Sequence, residues 1–379
     1  MAPHTPPPGP LRVVIAGGGT GGHLYPGIAV ARELIARVPD AIVSFAGTLK
    51  GIESRVVPRE GFALDVIRSG GLKGKATAER VRGIGLLPLG GADAWALLSR
   101  RRPHVVIGVG GYSSGPVVAL AALRGIPTLL LEQNAVPGLT NRALAPLVRA
   151  AAVTFAATLP YFRGKGFVSG NPVRSTFLDD DGAGLRDARD APVGVLIFGG
   201  SQGAHAINLA ALAAAPELAR AGTRLAITHQ TGERDLEMVR EGYLGAGVAA
   251  RVEPFLYEMD REMKAAHVIV CRAGATTLAE ITAAGRASVL VPLPTATDDH
   301  QRKNAEVLAR AGAAEVIDQR ELSGARLAAA VLALAGDRER RDRMAAAARA
   351  LAHPDAARVI VDRALALAGQ PGVRAGVPE

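Results

Sequence analysis

A strand, a glycine-rich loop and a helix occur in this order twice in the chain, about half its length apart, and this repeat constrains the fold more than any other feature. The first loop, 17–22, follows an apolar run, and so does the second loop, 199–203. Further apolar runs alternate with amphipathic segments rich in alanine and leucine, a pattern typical of parallel α/β sheets. The sequence therefore predicts an α/β protein made of two Rossmann-like domains.

The apolar runs also predict individual elements. Strand one should occupy 11–16 and its helix 24–38, and the repeat should begin with a strand at 193–198 and a helix from about 204 to 213. Further strands are expected at 41–46, 105–109, 128–131 and 288–291.

Length and turn residues predict the domain boundaries. A chain of 379 residues suits two domains of ordinary size. Three consecutive aspartates, a glycine and flanking prolines favour an irregular linker before the second strand series. We expect a proline-rich head at 1–10, a first domain at 11–175, a linker at 176–192, a second domain at 193–352, and a C-terminal helix and tail at 353–379 that pack back on the first domain.

Composition excludes several classes of protein. A hydrophobic share of 49% and a charged share of 21% exclude a disordered chain. The single cysteine, Cys271, excludes an internal disulfide, favours a reducing cytoplasm and is expected to be a small core residue. No signal segment is evident at the start, and no apolar run approaches the ~20 residues that cross a bilayer.

The net charge of +9 indicates an anionic partner, which could be nucleic acid, an anionic membrane surface or a phosphorylated substrate. Nucleic acid is the least favoured of the three, because the arginines are scattered and aromatic residues make up only 4% of the chain. We therefore expect no nucleic-acid partner.

The first glycine loop fits G-x-G-x-x-G, in which backbone N–H groups at a helix start favour an anion. A dinucleotide site would also need an acid at the end of the second strand, and the residues there, 44–48, include none. This disfavours a nicotinamide-dependent dehydrogenase. The loop should hold another anion or a sugar, or be a tight turn without a ligand.

The second glycine loop also fits G-x-S-x-G, the nucleophile elbow of α/β-hydrolases, with Ser201 as the nucleophile. His229, His267 or His300 could then act as the base, but a hydrolase would leave the matching first loop unexplained. A diphosphate bound between two glycine-loop domains explains both loops. In that interpretation Ser201 donates to phosphate and is not a nucleophile.

Polar residues follow several other predicted strands, at the edge where α/β sheets bind ligands. A third glycine loop, 110–116, carries hydroxyl groups, and amide side chains follow at 132–134. The segment 272–280 combines a helix start with Glu280, and the segment 299–304 adds further polar groups. The carboxylate of Glu280 suits paired sugar hydroxyls, although a surface ion pair would also explain it.

Seven motifs in this order resemble those of the MurG family, the peptidoglycan N-acetylglucosaminyltransferases. The resemblance covers about 11–351, and the motifs lie at 17–23, 110–116, 132–134, 170–174, 199–204, 272–280 and 299–304. It implies a GT-B fold, in which two Rossmann-like domains with parallel sheets face each other across a cleft. It also implies that the second domain binds most of UDP-N-acetylglucosamine and the first binds the acceptor.

The reaction that the resemblance implies is inverting β-1,4 transfer of N-acetylglucosamine to a polyprenyl-diphosphate-linked muramyl-pentapeptide, lipid I, which gives lipid II. Two alternatives stay open at this point. A UDP-N-acetylglucosamine 2-epimerase would share the architecture and the donor, and a non-catalytic UDP-sugar-binding module would turn nothing over.

The resemblance also implies site residues. Leu256 would contact uracil through its backbone, and His300 stands where some members have a glutamine. The implied donor contacts are Thr20, Gly21, Gly22, Asn134, Arg174, Ser201, Leu256, Ala275, Thr276, Thr277, Leu278, Ala279, Glu280, His300 and Gln301. The acceptor and diphosphate loops would contain Gly18, Gly19, Gly111, Tyr112, Ser113 and Ser114.

Inverting transfer needs a base for the acceptor hydroxyl and stabilisation of the departing diphosphate. His23 is the candidate base because a neutral imidazole titrates in the useful range, while the alternative is a histidine that caps its helix. The helix N-termini after Gly203 and Gly274, together with Arg174, would stabilise the negative charge of the leaving group. No aspartate pair indicates a metal site, so the sequence requires no cofactor and leaves metal dependence open.

The segment 71–102 places apolar side chains among cations, a composition that suits contact with anionic head groups. Core leucines beside a solvated basic turn would explain it as well. The predicted membrane patch consists of Lys73, Lys75, Leu86, Leu87, Leu89 and Trp95. We expect a peripheral protein at the cytoplasmic face of the bacterial cell membrane, with cell-wall and division proteins as further partners.

Overall fold

The computed structural model describes residues 9–70, 87–179, 191–200 and 203–369. The chain forms two compact units. The first domain contains Met1–Arg174 and His353–Glu379, and the second contains Ser175–Ala352.

The first domain is built on a sheet of seven parallel strands in the order β3-β2-β1-β4-β5-β6-β7. The strands are β1 (Arg12–Gly17), β2 (Ile42–Gly47), β3 (Ala63–Val66), β4 (Val105–Gly110), β5 (Thr128–Glu132), β6 (Ala150–Val153) and β7 (Gly166–Val168). The helices between them are α1 (Gly21–Arg37), α2 (Glu53–Arg59), α3 (Leu87–Arg101), α4 (Ser114–Leu123) and α5 (Leu139–Leu144), with a 3₁₀ helix at Ala156–Phe162.

The second domain has six parallel strands in the order β10-β9-β8-β11-β12-β13. The strands are β8 (Val193–Phe198), β9 (Leu225–Gln230), β10 (Ala250–Glu253), β11 (Val268–Cys271), β12 (Ala287–Leu290) and β13 (Ala314–Val316). The helices are α6 (His205–Arg220), α7 (Leu236–Gly245), α8 (Met259–Ala265), α9 (Ala275–Ala284), α10 (His300–Arg310), α11 (Gly324–Gly336) and α12 (Arg338–Ala350), with 3₁₀ helices at Ser175–Phe177, Glu233–Asp235 and Thr297–Asp299.

The predicted α/β class with two parallel sheets is confirmed. The strand at 193–198 was predicted to the residue, and the other predicted strands are shifted by a residue or extended into the following glycine or glutamate. Strands buried on both faces consist almost wholly of aliphatic residues, which is why their positions could be read from apolar runs. The helix predicted at about 204–213 continues to Arg220 through Pro216.

The C-terminal helix, α13 (Ala356–Leu367), packs on the first domain. Its residues Ile360, Val361 and Ala364 are fully buried in the same hydrophobic cluster as α1. Arg37 at the end of α1 pairs with Asp362 at 2.7 Å. The apolar face of this helix therefore completes the core of a domain whose other elements lie far away in sequence.

The predicted linker, 176–192, needs a correction at its start. The boundary falls between Arg174 and Ser175. Phe177 is buried, and Lys264 of the second domain donates to the Asp179 carbonyl at 2.7 Å. Residues up to Asp179 thus belong to the second domain, because a buried aromatic side chain and a backbone hydrogen bond attach them to it.

None of the described helices is long and apolar enough to span a membrane.

Candidate active site

The first site lies at the carboxyl edge of the first sheet, where the first and third glycine loops meet. Strands β1 and β4 are neighbours, and Gly17 is paired with Gly110. The Gly18 N–H donates to the Gly110 carbonyl at 3.3 Å. A Cβ on Gly111 would lie 2.5 Å from the Gly18 carbonyl oxygen at a φ of +80°, so only glycine allows the two loops to approach this closely.

A buried carboxylate that the sequence analysis missed holds the first loop from the other side. Glu53, on α2, is 1% exposed and accepts the Gly19 N–H at 2.7 Å. The Gly18 and Gly19 N–H groups thus both donate within the domain, and the assignment of these two glycines to the acceptor and diphosphate loops stays a prediction. The signal that could have revealed Glu53 is an acid that opens a short helix directly after Gly47 and Gly51.

His23 is the third residue of α1 and lies against the third loop. Its Nδ1 is 3.2 Å from the Thr20 hydroxyl, and a Cβ at Gly110 would fall 2.7 Å from its ring. The ring is therefore oriented by the side chain before the helix and by the backbone of a neighbouring strand. This arrangement places Thr20 and His23 together at the carboxyl edge of the first sheet.

The third loop presents an aromatic side chain and hides its hydroxyls. Tyr112 is 47% exposed, whereas Ser113 and Ser114 are buried. The Ser114 hydroxyl faces strand β4, where a Cβ at Gly108 would lie 2.8 Å from it. Both serine side chains are buried in the domain, and the assignment of Ser113 and Ser114 to the acceptor and diphosphate loops stays a prediction.

The loop after β5 is organised by Glu132. This carboxylate is 3% exposed and accepts hydrogen bonds from Asn134, Gly138 and Asn141. Burial raises the pKa of Glu132 above its usual range, and the N–H donors lower it in part. Glu132 therefore fixes the position of the predicted donor contact Asn134 rather than reaching a ligand itself.

The predicted donor residue Arg174 lies beside α1. Its guanidinium is 5.8 Å from the centre of the Tyr25 ring, and a Cβ at Gly21 would lie 3.0 Å from the same ring. Tyr25 thus brings Arg174 near Gly21 at the start of α1. Gly22 follows directly and is exposed.

In the second domain Gln230, at the end of β9, joins the second glycine loop to a predicted donor contact. Its Nε2 donates to the Gly200 carbonyl at 2.8 Å, and its Oε1 accepts the Leu256 N–H at 3.4 Å. The second glycine loop and the predicted uracil-contacting residue are therefore neighbours at the carboxyl edge. Ser201 lies outside the residues that the structure describes.

Helix α9 begins directly after β11 with small residues. Ala275, Thr276, Thr277 and Ala279 occupy its first turns. The Leu278 side chain is 1% exposed, so the predicted donor contact of Leu278 would be made by its backbone. Burial raises the pKa of the Cys271 thiol, and the negative charge of Glu280 raises it further.

Gln301 ties together the loops that follow β11 and β12. Its Oε1 accepts the Ala273 N–H at 3.2 Å and the Leu293 N–H at 3.0 Å. The preceding residues, Asp298 and Asp299, both have a φ of +55°, a strained conformation that turns the chain into α10. Two backbone N–H groups therefore hold the Gln301 side chain by its oxygen. The neighbouring His300 places its Nδ1 2.6 Å from the Thr297 carbonyl oxygen.

A buried hydrogen-bond network supports the second glycine loop. The Asn208 Nδ2 donates to the Thr231 carbonyl at 2.9 Å and to Asp235 at 2.8 Å, so its Oδ1 accepts from His229 Nε2 at 3.0 Å. His229 Nδ1 must then accept from the Tyr243 hydroxyl at 3.0 Å. The loop passes so close to the Thr231 carbonyl that a Cβ at Gly203 would lie 1.8 Å from its oxygen.

Lowering the pH should destabilise this network through His229. Burial lowers the pKa of His229 from 6.5 to about 3. Between these values only the unfolded chain binds the proton, so the free energy of unfolding falls by up to ~1.4 kcal/mol per pH unit on acidification through this range. Urea unfolding at about pH 7 and about pH 5 should show a larger loss for the wild type than for His229→Gln. Equal losses would show that His229 does not cause the acid sensitivity.

The structure describes part of the predicted membrane patch. On α3, Leu89 is 42% exposed and Trp95 is 56% exposed. Lys73, Lys75 and Leu86 lie outside the described residues, and so does the side chain of Leu87.

The described residues contain no group of three or more histidine, cysteine or acidic side chains that could hold a metal ion.

The chain matches known proteins along both domains. The glycosyltransferase family 28 N-terminal domain matches residues 13–153, and the glycosyltransferase family 28 C-terminal domain matches 194–360. A relative from Pelobacter propionicus is 47% identical over 375 residues, which are 94% of this chain and 99% of the relative. The chain belongs to the MurG family of glycosyltransferases.

Another MurG-family relative, from Geobacter sulfurreducens, is 46% identical over 94% of this chain and 98% of its own. Both relatives are named UDP-N-acetylglucosamine–N-acetylmuramyl-(pentapeptide) pyrophosphoryl-undecaprenol N-acetylglucosamine transferase. The crystal structure of Acinetobacter baumannii MurG matches with a TM-score of 0.76 and 32% sequence identity. The match covers 94% of this chain and 100% of the Acinetobacter chain. The family and enzyme class predicted from the sequence are confirmed.

The MurG-family fold also occurs in other enzymes. UDP-GlcNAc 2-epimerase from Neisseria meningitidis, bound to UDP-GlcNAc, has a TM-score of 0.67 over 94% of this chain and is 15% identical. At that identity the likeness shows the fold alone.

Proposed function

We propose that this protein transfers N-acetylglucosamine from UDP-N-acetylglucosamine to the 4-hydroxyl of the muramyl sugar in lipid I, with inversion, and so makes lipid II. The observation that carries the proposal is similarity over nearly the whole length of relatives named for this transfer, at 46–47% identity. Each of the two domains contributes residues that suit this transfer.

The second domain supplies the donor side. Helices α6 and α9 begin directly after strands β8 and β11 and their loops, so their N-terminal N–H groups and dipoles favour the diphosphate of UDP. Gln230 positions Leu256 beside the second glycine loop, where a backbone contact to uracil is expected. Glu280, on α9, is proposed to accept hydrogen bonds from sugar hydroxyls.

The first domain supplies the base. When the His23 Nδ1–H donates to the Thr20 hydroxyl, the basic lone pair of the imidazole is on Nε2. The imidazole then takes the proton of the acceptor hydroxyl as that oxygen attacks the anomeric carbon and the bond to the UDP oxygen breaks. The proton moves to His23, and the electron pair of the broken bond leaves with UDP.

Acceptor dependence separates this proposal from its alternatives. Purified protein should release UDP from UDP-N-acetylglucosamine only when a lipid I analogue is added. Release of an isomerised sugar without the acceptor would establish an epimerase. No turnover under either condition, with donor still bound, would establish a binding module.

The first domain also carries an exposed apolar surface that suits a lipid-linked acceptor. The Arg124 guanidinium stacks 4.7 Å from the centre of the Trp95 ring. Leu123, which directly precedes Arg124 in the chain, is 65% exposed. Trp95, Leu123 and this arginine, with Leu89 on the same helix as Trp95, are together what we call the α3 patch. An aromatic ring, leucines and a cation are the groups that enter the interface of an anionic bilayer.

Vesicle binding tests the α3 patch. Leu89→Ser/Trp95→Ser should bind phosphatidylglycerol vesicles at least ~10-fold more weakly than the wild type, because two side chains that would enter the bilayer are lost. Binding of the wild type should also weaken as salt rises. The matched control is Leu244→Ser/Tyr257→Ser, which removes side chains that are 79% and 86% exposed in the second domain. Equal binding by both variants would place the membrane contact elsewhere.

Such a contact would place the protein at the cytoplasmic face of the bacterial cell membrane as a peripheral protein. A lipid-linked acceptor remains in the bilayer, so the enzyme must work at its surface. Proteins of cell-wall synthesis and cell division are the partners expected there.

A further inference from the structure

The carboxylate of Glu53 is enclosed by the two loops that follow β1 and β2. Its Oε2 accepts the Gly19 N–H at 2.7 Å, and its Oε1 accepts both the N–H and the hydroxyl of Thr48 at 2.9 Å. Three donors therefore converge on one buried carboxylate, which joins the loop after β1 to the loop after β2. Such charge-assisted bonds are stronger than those between neutral groups.

The glycines around Glu53 are required by this enclosure. A Cβ at Gly18 would lie 2.5 Å from its carboxyl carbon, and a Cβ at Gly47 would lie 2.6 Å from its Cγ. A Cβ at Gly51 would lie 2.0 Å from its Oε2. The space around the carboxylate exists only because these three positions lack side chains.

The first glycine loop needs such a tether because its own backbone does not determine its position. Gly17, Gly18 and Gly19 all have positive φ angles, of +146°, +147° and +87°. Three consecutive glycines have more backbone freedom than any other residues. The loop is held by the Gly110 carbonyl on one side and by Glu53 on the other. Thr20 and His23 follow directly, so the Glu53 tether also sets where they lie.

We propose that Glu53 is a positioning residue for the transfer reaction, which fixes the first glycine loop and thereby Thr20 and His23 and keeps the Gly19 N–H from binding substrate phosphate. The proposal rests on the proposed role of His23 as the base. Glu53 touches no substrate in this role and acts through the Gly19 amide.

The substitution Glu53→Gln tests the tether with little change in shape. An amide offers one acceptor oxygen and places an NH₂ group against the remaining N–H donors, so it cannot satisfy all three. We expect kcat to fall by ~10²-fold, the cost of misplacing a catalytic group by about 1 Å, with little change in the KM for UDP-N-acetylglucosamine. Hydrogen exchange in the peptide that spans 17–24 should become faster.

Three further variants separate positioning from folding. Asp65→Asn removes another buried carboxylate of the first domain, one that pairs with Arg100 and Arg101, and should lower Tm without changing kcat. Thr48→Val keeps the bond to Gly19 and should retain kcat. Gly51→Ala keeps the charge but displaces the carboxylate, so it should reproduce the loss of kcat even where Glu53→Gln fails to fold.

The outcomes are decisive in each case. Near-normal kcat in both Glu53→Gln and Gly51→Ala, or a loss no larger than that of Asp65→Asn at a matched Tm, would overturn the positioning role. Unchanged exchange in 17–24 would overturn the tether itself. If the wild-type protein shows no transfer, the proposed function fails, while the exchange measurement still tests the tether.

Discussion

Replacing His23 with alanine should lower kcat by ~10²–10⁴-fold and leave the KM for UDP-N-acetylglucosamine nearly unchanged, because a general base acts in the transition state and not in donor binding. The imidazole lies at the carboxyl edge, with its Nδ1 3.2 Å from the Thr20 hydroxyl. Steady-state kinetics with a lipid I analogue measures the effect.

The matched control for His23 is Thr20→Val, which removes the hydroxyl but leaves the imidazole in place. It should lower kcat by less than His23→Ala, since a base that is less well oriented still accepts a proton. Near-normal kcat in His23→Ala would show that another group takes the proton and that His23 has a structural role at the start of α1.

Replacing Glu280 with glutamine should raise the KM for the donor by ~10–100-fold and affect the acceptor KM little. The change removes a charged acceptor from sugar hydroxyls, and hydrogen bonds to charged groups contribute ~1.5–3 kcal/mol. Saturation curves for each substrate, with the other held constant, measure the two effects separately.

Glu258→Gln is the matched control for Glu280. Glu258 also lies in the second domain, but it is exposed and pairs with Arg261, three residues further along the chain. Exposed pairs of this kind contribute little, so the control should keep normal kinetics. Normal donor kinetics in Glu280→Gln, with an unchanged Tm, would identify Glu280 as a surface residue.

The sequence predicts most of the fold because its strands are aliphatic and its loops are rich in glycine. Strands such as β8 are buried among other strands, and nothing polar interrupts them. The glycines at 17–19 and 199–203 mark where parallel strands end, so the carboxyl edges could be located without a structure. The start of the linker could not be located in this way. Phe177 belongs to the second domain because its side chain is buried there, and such packing leaves no pattern in the local sequence.

The candidate site could be predicted less completely, because its geometry depends on which strands are neighbours. Glu53 contacts Gly19 only because β2 lies beside β1, and sequence spacing does not reveal this contact. Similarly, the burial of Ser114 follows from the orientation of α4 on β4, not from its place in a polar motif. Motifs identify which loops form the site, while the fold decides which atoms in those loops face a ligand.

The most direct test of transfer is the linkage in the product that purified wild-type protein makes from UDP-N-acetylglucosamine and a lipid I analogue. Proton NMR of the isolated product reports both the anomeric configuration and the hydroxyl that is substituted. We expect an N-acetylglucosamine that is β-linked to the 4-hydroxyl of the muramyl sugar, formed together with UDP. An α-linked product, or an unchanged acceptor beside an isomerised sugar nucleotide, would contradict inverting transfer by this protein.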